Sequence, residues 1–473
     1  MPDLPLRICL LTYRGNPRSG GQGVYVRLLS RELAAMGHDV EIWSGQPYPE
    51  VVDDPRIRLV ELPSLDLWNE EALFRRPSLN ELRDPINRAE WGRTLLGGFP
   101  EPRTFTLRAV RNYKRLNGQA GFDVVHDNQC LGIGLLALQR MVPLLTTIHH
   151  PITRDFKLAL DAVPAWNLYR RFNLRRWFQS FLPMQVEVAR GLDRVLTISE
   201  ASTKDIVADF GIDRAKCRMV SNGINLDVFK PHPEIERKPN RLITTLSADV
   251  PLKGLVYLLD ALAELRRERP ELHLTVIGSP RQGSGTAERI RKLGLESAVH
   301  FTGRVADTEI ARRYAESTVA VVSSLYEGFG FPAGEAMACE IPLVSTRGGA
   351  LPEVVGEGGD TGMLVQPGSG PALAEGIRTL LDAPEDARRR MGEAARRRVV
   401  AQFAWRRVAE RHVEAYRELI AERHHARGNG HKLYALPEAS AVPVLRSGDA
   451  AAYAARRAVG AVRLSEAASG ADD

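Results

Sequence analysis

The feature that most constrains this chain is an alternation that runs through it twice. Short runs rich in branched apolar residues are separated by longer stretches with helical periodicity. Such apolar runs read as strands buried on both faces, the habit of parallel sheets covered by helices. The first series places strands at residues 6–12, 38–43, 123–126, 144–148, 194–198 and 219–221. The second begins near Arg241, with strands at 242–247, 273–277, 299–302, 319–322 and 343–345. Between them, residues 230–240 concentrate proline and charge and read as a linker. With 473 residues the chain is too long for one ordinary domain and suits two plus an appendage. The expected architecture is α/β, with two Rossmann-like, doubly wound domains (1–229 and 241–395) facing each other across a cleft. Such sheets bind ligands at the carboxyl ends of their strands.

The most informative local string is residues 327–335, Glu-Gly-Phe-Gly-Phe-Pro-Ala-Gly-Glu. It follows the apolar run 319–322 and leads into a helical pattern, so it reads as strand, glycine loop and helix. Glycines 328, 330 and 334 allow the backbone to approach a ligand closely. A helix N-terminus behind such a loop favours an anion. One carboxylate, Glu327, then stands at the loop entrance and the other, Glu335, in the first helical turn.

This string, with Glu335-Ala336-Met337-Ala338 and the later Gly348-Gly349-Ala350-Leu351-Pro352-Glu353, resembles the paired-acid signature of retaining GT-B glycosyltransferases of family 4 type, the glycosyl transferases group 1. The resemblance spans most of the chain, residues 5–420. It implies transfer of a hexose-type sugar from a nucleotide diphosphate donor to a hydroxyl acceptor, with the anomeric configuration kept. It also implies that a C-terminal helix, 396–422, crosses back over both domains. Phe403, Trp405, Val408 and Tyr416 fall at spacings that suit such a helix. Residues 423–473 read as a disordered or loosely helical tail.

By the same resemblance Glu335 would hold the ribose hydroxyls and Glu327 would face the donor sugar. Gly328, Phe329, Gly330 and Phe331 would meet that sugar through the backbone. Lys253, in Pro251-Leu252-Lys253-Gly254, matches the lysine that neutralises the departing diphosphate. Read alone, a Lys-Gly pair is a solvated cap. His149, in Thr147-Ile148-His149-His150-Pro151, matches the histidine over the donor sugar, with His150 as its competitor. Gly20 and Gly21 resemble the glycine pair that approaches the donor phosphates, or form a plain strand-to-helix turn. Asp127 and Asn128, at another strand end, orient the acceptor or cap the next helix. One departure stands out: the family's arginine ahead of the lysine is replaced by Ser247-Ala248. Arg304 is the candidate substitute.

Bulk properties exclude several other classes. Four scattered cysteines without C-x-x-C spacing argue against a disulfide framework or a zinc site and fit a reducing compartment. No D-x-D triplet is present, so no cofactor and no metal are expected. His424, His425 and His431 read as basic linker. The N-terminus lacks a secretory pattern, and no apolar run is long enough to span a bilayer, so a cytoplasmic enzyme is expected. A net charge of +6 suits a phosphate-bearing donor or an anionic membrane surface and does not call for nucleic acid.

The acceptor, whether small molecule, glycan or lipid, is left open. Two stretches of the first domain would shape its site: the long polar insertion 64–118 and residues 164–191. The latter interleave arginines with aromatics, which suits peripheral contact with anionic lipid. The competing reading is a helix that buries its aromatics on the first domain. Rival functions on the same architecture are a nucleotide-sugar epimerase, a sugar phosphorylase and a non-catalytic donor-binding homologue.

Overall fold

The computed structural model describes residues 4–16, 22–69, 75–116, 121–161, 163–246, 249–280 and 285–428. Of the expected tail, 423–473, the part to Gly428 continues helix Trp405–Gly428, with Arg423 donating to the Val142 carbonyl at 2.7 Å, while 429–473 and the glycines at positions 20 and 21 lie outside these residues.

Seven strands form the first sheet: β1 (Arg7–Thr12), β2 (Asp39–Ser44), β3 (Ile57–Glu61), β4 (Val124–Asn128), β5 (Leu144–Ile148), β6 (Arg194–Thr197) and β7 (Cys217–Met219). Their spatial order is β3-β2-β1-β4-β5-β6-β7, and every pairing is parallel. Six strands form the second: β8 (Arg241–Thr245), β9 (His273–Ile277), β10 (Val299–Phe301), β11 (Val319–Val322), β12 (Leu343–Thr346) and β13 (Met363–Val365). Their order is β10-β9-β8-β11-β12-β13, again all parallel. Each sheet therefore reverses its winding once, beside β1 in the first and beside β8 in the second. Those reversals open crevices at the carboxyl ends of the strands.

Helices cover both faces, as wholly buried strands such as β4, β5, β11 and β12 require. On one face of the first sheet, helix Gln22–Ala35 packs Leu29 and Leu33 against Ile8, Leu10 and Ile42. The same cluster takes in Trp405, Val408 and Tyr416 of helix Trp405–Gly428. The preceding Phe403 packs into the core of the second sheet with Phe329 and Met337. The chain thus crosses back from one sheet to the other. Polar groups lock that return: His126 Nδ1 lies 2.7 Å from the Tyr416 hydroxyl, and Tyr25 Oη lies 2.7 Å from His412 Nε2.

Three readings need correction. The last strand of the first sheet is Cys217–Met219 rather than 219–221, and Val220 already leads out, donating to the Thr197 carbonyl at 2.8 Å. Strand β8 ends at Thr245, short of the expected 247. The stretch 64–118 is the crossover between β3 and β4, and it carries helices Pro85–Leu95 and Glu101–Arg115. Glu101 of the latter is buried and pairs with Arg14 at 2.8 Å, which fastens the crossover over the end of β1. No helix among the described residues is long and apolar enough to cross a membrane.

Candidate active site

The loop after β8 turns through the short 3-10 segment Pro251–Lys253 and then Gly254. Gly254 has φ +64°, and a Cβ there would stand 2.0 Å from the Ser323 carbonyl oxygen, so only glycine fits this turn. The turn aims Lys253 back along the sheet at the loop after β11. There its Nζ lies 2.7 Å from Glu327 Oε1, and both side chains are half-buried. Ser324 donates to the same oxygen at 2.6 Å. The Glu327 carbonyl accepts from Ala350 at 2.9 Å. Gly349 permits that contact, having φ +63° and room for no Cβ, which would lie 2.3 Å from the Glu327 oxygen. The Gly-Gly string at 348–349 is therefore the floor on which Glu327 rests.

From Glu327 the chain runs to helix Phe331–Ala338, whose first turn holds Pro332. The Phe329 ring turns inward against Phe403 at 5.6 Å. Its backbone is thereby left on the cleft side. Among the described residues the N–H groups of Gly328, Phe329, Gly330 and Phe331 donate no hydrogen bond. Four consecutive N–H groups at a helix N-terminus, beside an ammonium, form an electropositive cradle. Glu335, one turn on, is half-buried. Burial foremost, and then the charge of Asp307, push its carboxyl up to about 8.

The first sheet contributes His149, directly after β5. Its Nε2 lies 2.8 Å from Asn128 Oδ1, and its ring meets Tyr25 edge to face at 4.8 Å. An amide oxygen only accepts, so Nε2 carries the ring proton. Desolvation first, and then His150 and His412, hold His149 down at about 3, so the ring is neutral at physiological pH. Asn222, after β7, approaches closely enough to work against that shift, yet its buried Oδ1 accepts no hydrogen bond of ordinary geometry. His150 is exposed.

The two halves meet at the glycine loop. A Cβ on Gly328 would sit 3.5 Å from the His149 carbonyl and 3.4 Å from Ser202 Oγ. The Gly328 carbonyl accepts from Ser199 Oγ at 2.7 Å and from Ser202 Oγ at 2.9 Å. Ser199 is also the N-cap of helix Glu200–Phe210, accepting from the Ser202 N–H. Glu353 accepts the Glu200 and Ala201 N–H groups of that helix. Tyr326 donates to Asp205 beside it. None of Ser199, Ser202 or Tyr326 is marked by the sequence reading, and Glu353 enters it only as part of a string. The Ser-Glu start of a helix is a capping signal, but it does not say that the same serine reaches another domain.

Neither acceptor candidate at β4 is open to solvent. Asp127 is completely buried and accepts from the Cys130 N–H at 3.1 Å, the Leu131 N–H at 3.2 Å and the Thr146 hydroxyl at 2.7 Å. These bonds close the turn after β4 and do not cap the next helix, Gly134–Met141, whose N-cap is Ile133, and no Asp127 oxygen is left exposed. Asn128 is equally buried, spanning His149 and the Gln22 carbonyl. Positions 247 and 248 lie outside the described residues. Arg304 is exposed after edge strand β10, two strands or about 10 Å from β8.

Two facing α/β sheets, with a lysine, a paired acid and an unbonded glycine loop at their carboxyl ends, define the GT-B class of glycosyltransferases. Comparison with known proteins agrees. The sequence matches Glycosyltransferase Family 4 over residues 19–228 and Glycosyl transferases group 1 over residues 229–398. It is 46% identical to the MMP α-(1→4)-mannosyltransferase of Mycolicibacterium hassiacum, across 88% of this chain and 99% of that one. It is 29% identical to the D-inositol 3-phosphate glycosyltransferase of Kineococcus radiotolerans, across 88% and 95% respectively. Anabaena HepE in complex with UDP and glucose shares the fold, with a TM-score of 0.61, 18% identity, and 87% and 99% coverage. The chain belongs to the family 4, group 1 glycosyltransferases.

Proposed function

We propose that this glycosyltransferase moves mannose from a nucleoside diphosphate sugar to a hydroxyl of a sugar acceptor, with retention and without a metal. The observation that carries this is the Lys253–Glu327 pair, 2.7 Å apart, beside four unbonded N–H groups and facing His149 of the other sheet. The mannosyl assignment rests on the 46% identical mannosyltransferase, whose product linkage is α.

As the bond to the anomeric carbon breaks, the pyrophosphate gains charge and the sugar becomes oxocarbenium-like. Lys253 and the loop N–H groups meet the first change; this fixed cation is the reason a divalent ion is not needed. Glu327 meets the second, since its carboxylate is already held in place by Ser324 and Lys253. Neutral His149, whose single ring proton goes to Asn128, leaves Nδ1 to accept from a sugar hydroxyl without adding charge that would oppose the oxocarbenium. Glu335, when ionised, accepts from the two ribose hydroxyls. The acceptor hydroxyl approaches the same face and passes its proton to the leaving phosphate, which preserves configuration.

The test is incubation of the protein with GDP-, UDP- and ADP-sugars and mannose-terminated acceptors in the presence of EDTA. Proton-coupled carbon NMR of the product then reads its anomeric configuration from the one-bond C1–H1 coupling. An α-linked mannoside formed in EDTA is expected. A β product, loss of turnover in EDTA, or transfer only of another sugar would overturn the corresponding part.

A further inference from the structure

Helix Leu168–Gln179 and the turn before it carry an unusual surface. Trp166 is 81% exposed, Leu168 73%, Tyr169 79% and Phe172 60%. Four large apolar side chains so close together in sequence and so open to water form a patch of the kind that marks an interaction site. They are not what attaches the helix. Its inner side does that, with Phe178 buried against Phe156 at 4.9 Å and Trp177 against Phe99 at 5.5 Å. The aromatics of this stretch thus divide between the protein core and solvent.

Charge identifies the partner. From residue 162 to residue 186 the sequence contains no Asp or Glu, but has arginines at 170, 171, 175 and 176. Arg171 is spent on the Leu160 and Val163 carbonyls. Arg170 and Arg175 are exposed, and among the described residues neither forms an ion pair. At helical spacing Leu168, Phe172, Arg175 and Gln179 share one face with Tyr169 and Arg176 at its flank. We propose that this face docks on an anionic lipid bilayer, with Trp166, Tyr169 and Phe172 at headgroup depth and the arginines on lipid phosphates. A second copy of the chain is the poorer occupant, because a two-fold contact sets the same acid-free, arginine-bearing patch against itself. Trp177 and Phe99 connect the inner side of the helix to Tyr13, just beyond β1.

Flotation of the full chain with phosphatidylcholine vesicles, with and without phosphatidylglycerol, tests this. Binding is expected only with the anionic lipid and is expected to weaken with salt. Arg175→Glu should lower it by about tenfold or more. Phe172→Ser should lower it at every salt concentration. An unchanged thermal midpoint in each variant shows that the fold is retained. Equal binding to neutral vesicles, no binding, or undiminished binding by the charge-reversed protein would overturn the proposal. So would concentration-dependent self-association that Phe172→Ser abolishes, which would assign the face to a second copy.

Discussion

Glu353, on the second sheet's side of the cleft, accepts the backbone N–H of Ala201 on the other side at 2.9 Å, and that of Glu200 at 2.8 Å. A carboxylate at a helix N-terminus is favoured by both the unpaired N–H groups and the dipole. The Gly328 loop that this contact helps to dock is the one whose N–H groups are unbonded, so the closed contact between the two halves also positions that loop.

Replacing Glu353 with alanine removes charge-assisted hydrogen bonds worth about 1.5–3 kcal/mol. The expected result is a fall in kcat/KM of roughly ten- to a hundredfold, with the cap at Ser199 keeping helix Glu200–Phe210 intact. Steady-state kinetics beside a thermal melt would check it. An unaltered kcat/KM would remove Glu353 from closure.

Lys253→Ala should lower kcat by about 10²–10³-fold, the range for losing a group that meets charge developing in the transition state. Nucleotide affinity should change far less. Because Lys253 and Glu327 satisfy each other in a half-buried site, the double variant should cost less than the sum of the single ones. Strict additivity in that cycle would mean the pair does not act as a unit.

As the proposed ribose partner, Glu335 is expected to make donor binding depend on pH. Its carboxyl, near 8, is protonated in the free protein at neutral pH, whereas a carboxylate is the form that accepts from two ribose hydroxyls. Binding then releases a proton, so nucleotide affinity should rise from pH 6 to pH 8 and level off above. Stability has the opposite trend. Between the ordinary value of 4.5 and about 8 the folded state holds one more proton than the unfolded chain, so this group's contribution falls as pH rises through that window. Calorimetric titration of nucleotide and melts at pH 5 and pH 9 read both trends. Glu335→Gln should flatten them, and a flat profile in the parent protein would reject the ribose assignment.

His149, held near 3, should leave no inflection in kcat between pH 5 and pH 9. His149→Ala should still lower kcat by roughly ten- to a hundredfold through loss of its hydrogen bond to the sugar. A kcat inflection near 6.5 that disappears in this variant would show the ring titrating and contradict the neutral role.

Most strands were legible because a strand buried on both faces must be a nearly continuous apolar run. The two that were missed, β3 and β13, lie at sheet edges, where half-exposed runs such as Ile57–Glu61 give no such pattern. Position after a strand likewise marked Lys253, Glu327 and His149. The role of Asp127 was left open for a related reason: a carboxylate at a strand end looks the same in sequence whether it faces the cleft or accepts from the Cys130 N–H within the core.

The sequence by itself determined the two parallel sheets, the glycine loop and the residue types at the strand ends, since these follow from local periodicity and from turns that only glycine fits. Tertiary structure alone decided which groups meet. Ser199 and Ser202 on Gly328, Glu353 on Ala201, and Lys253 on Glu327 join residues 74 to 152 positions apart. No local preference encodes such contacts, because they arise only when neighbouring strand ends of one sheet, or the ends of the two sheets, are brought together with donors and acceptors facing one another.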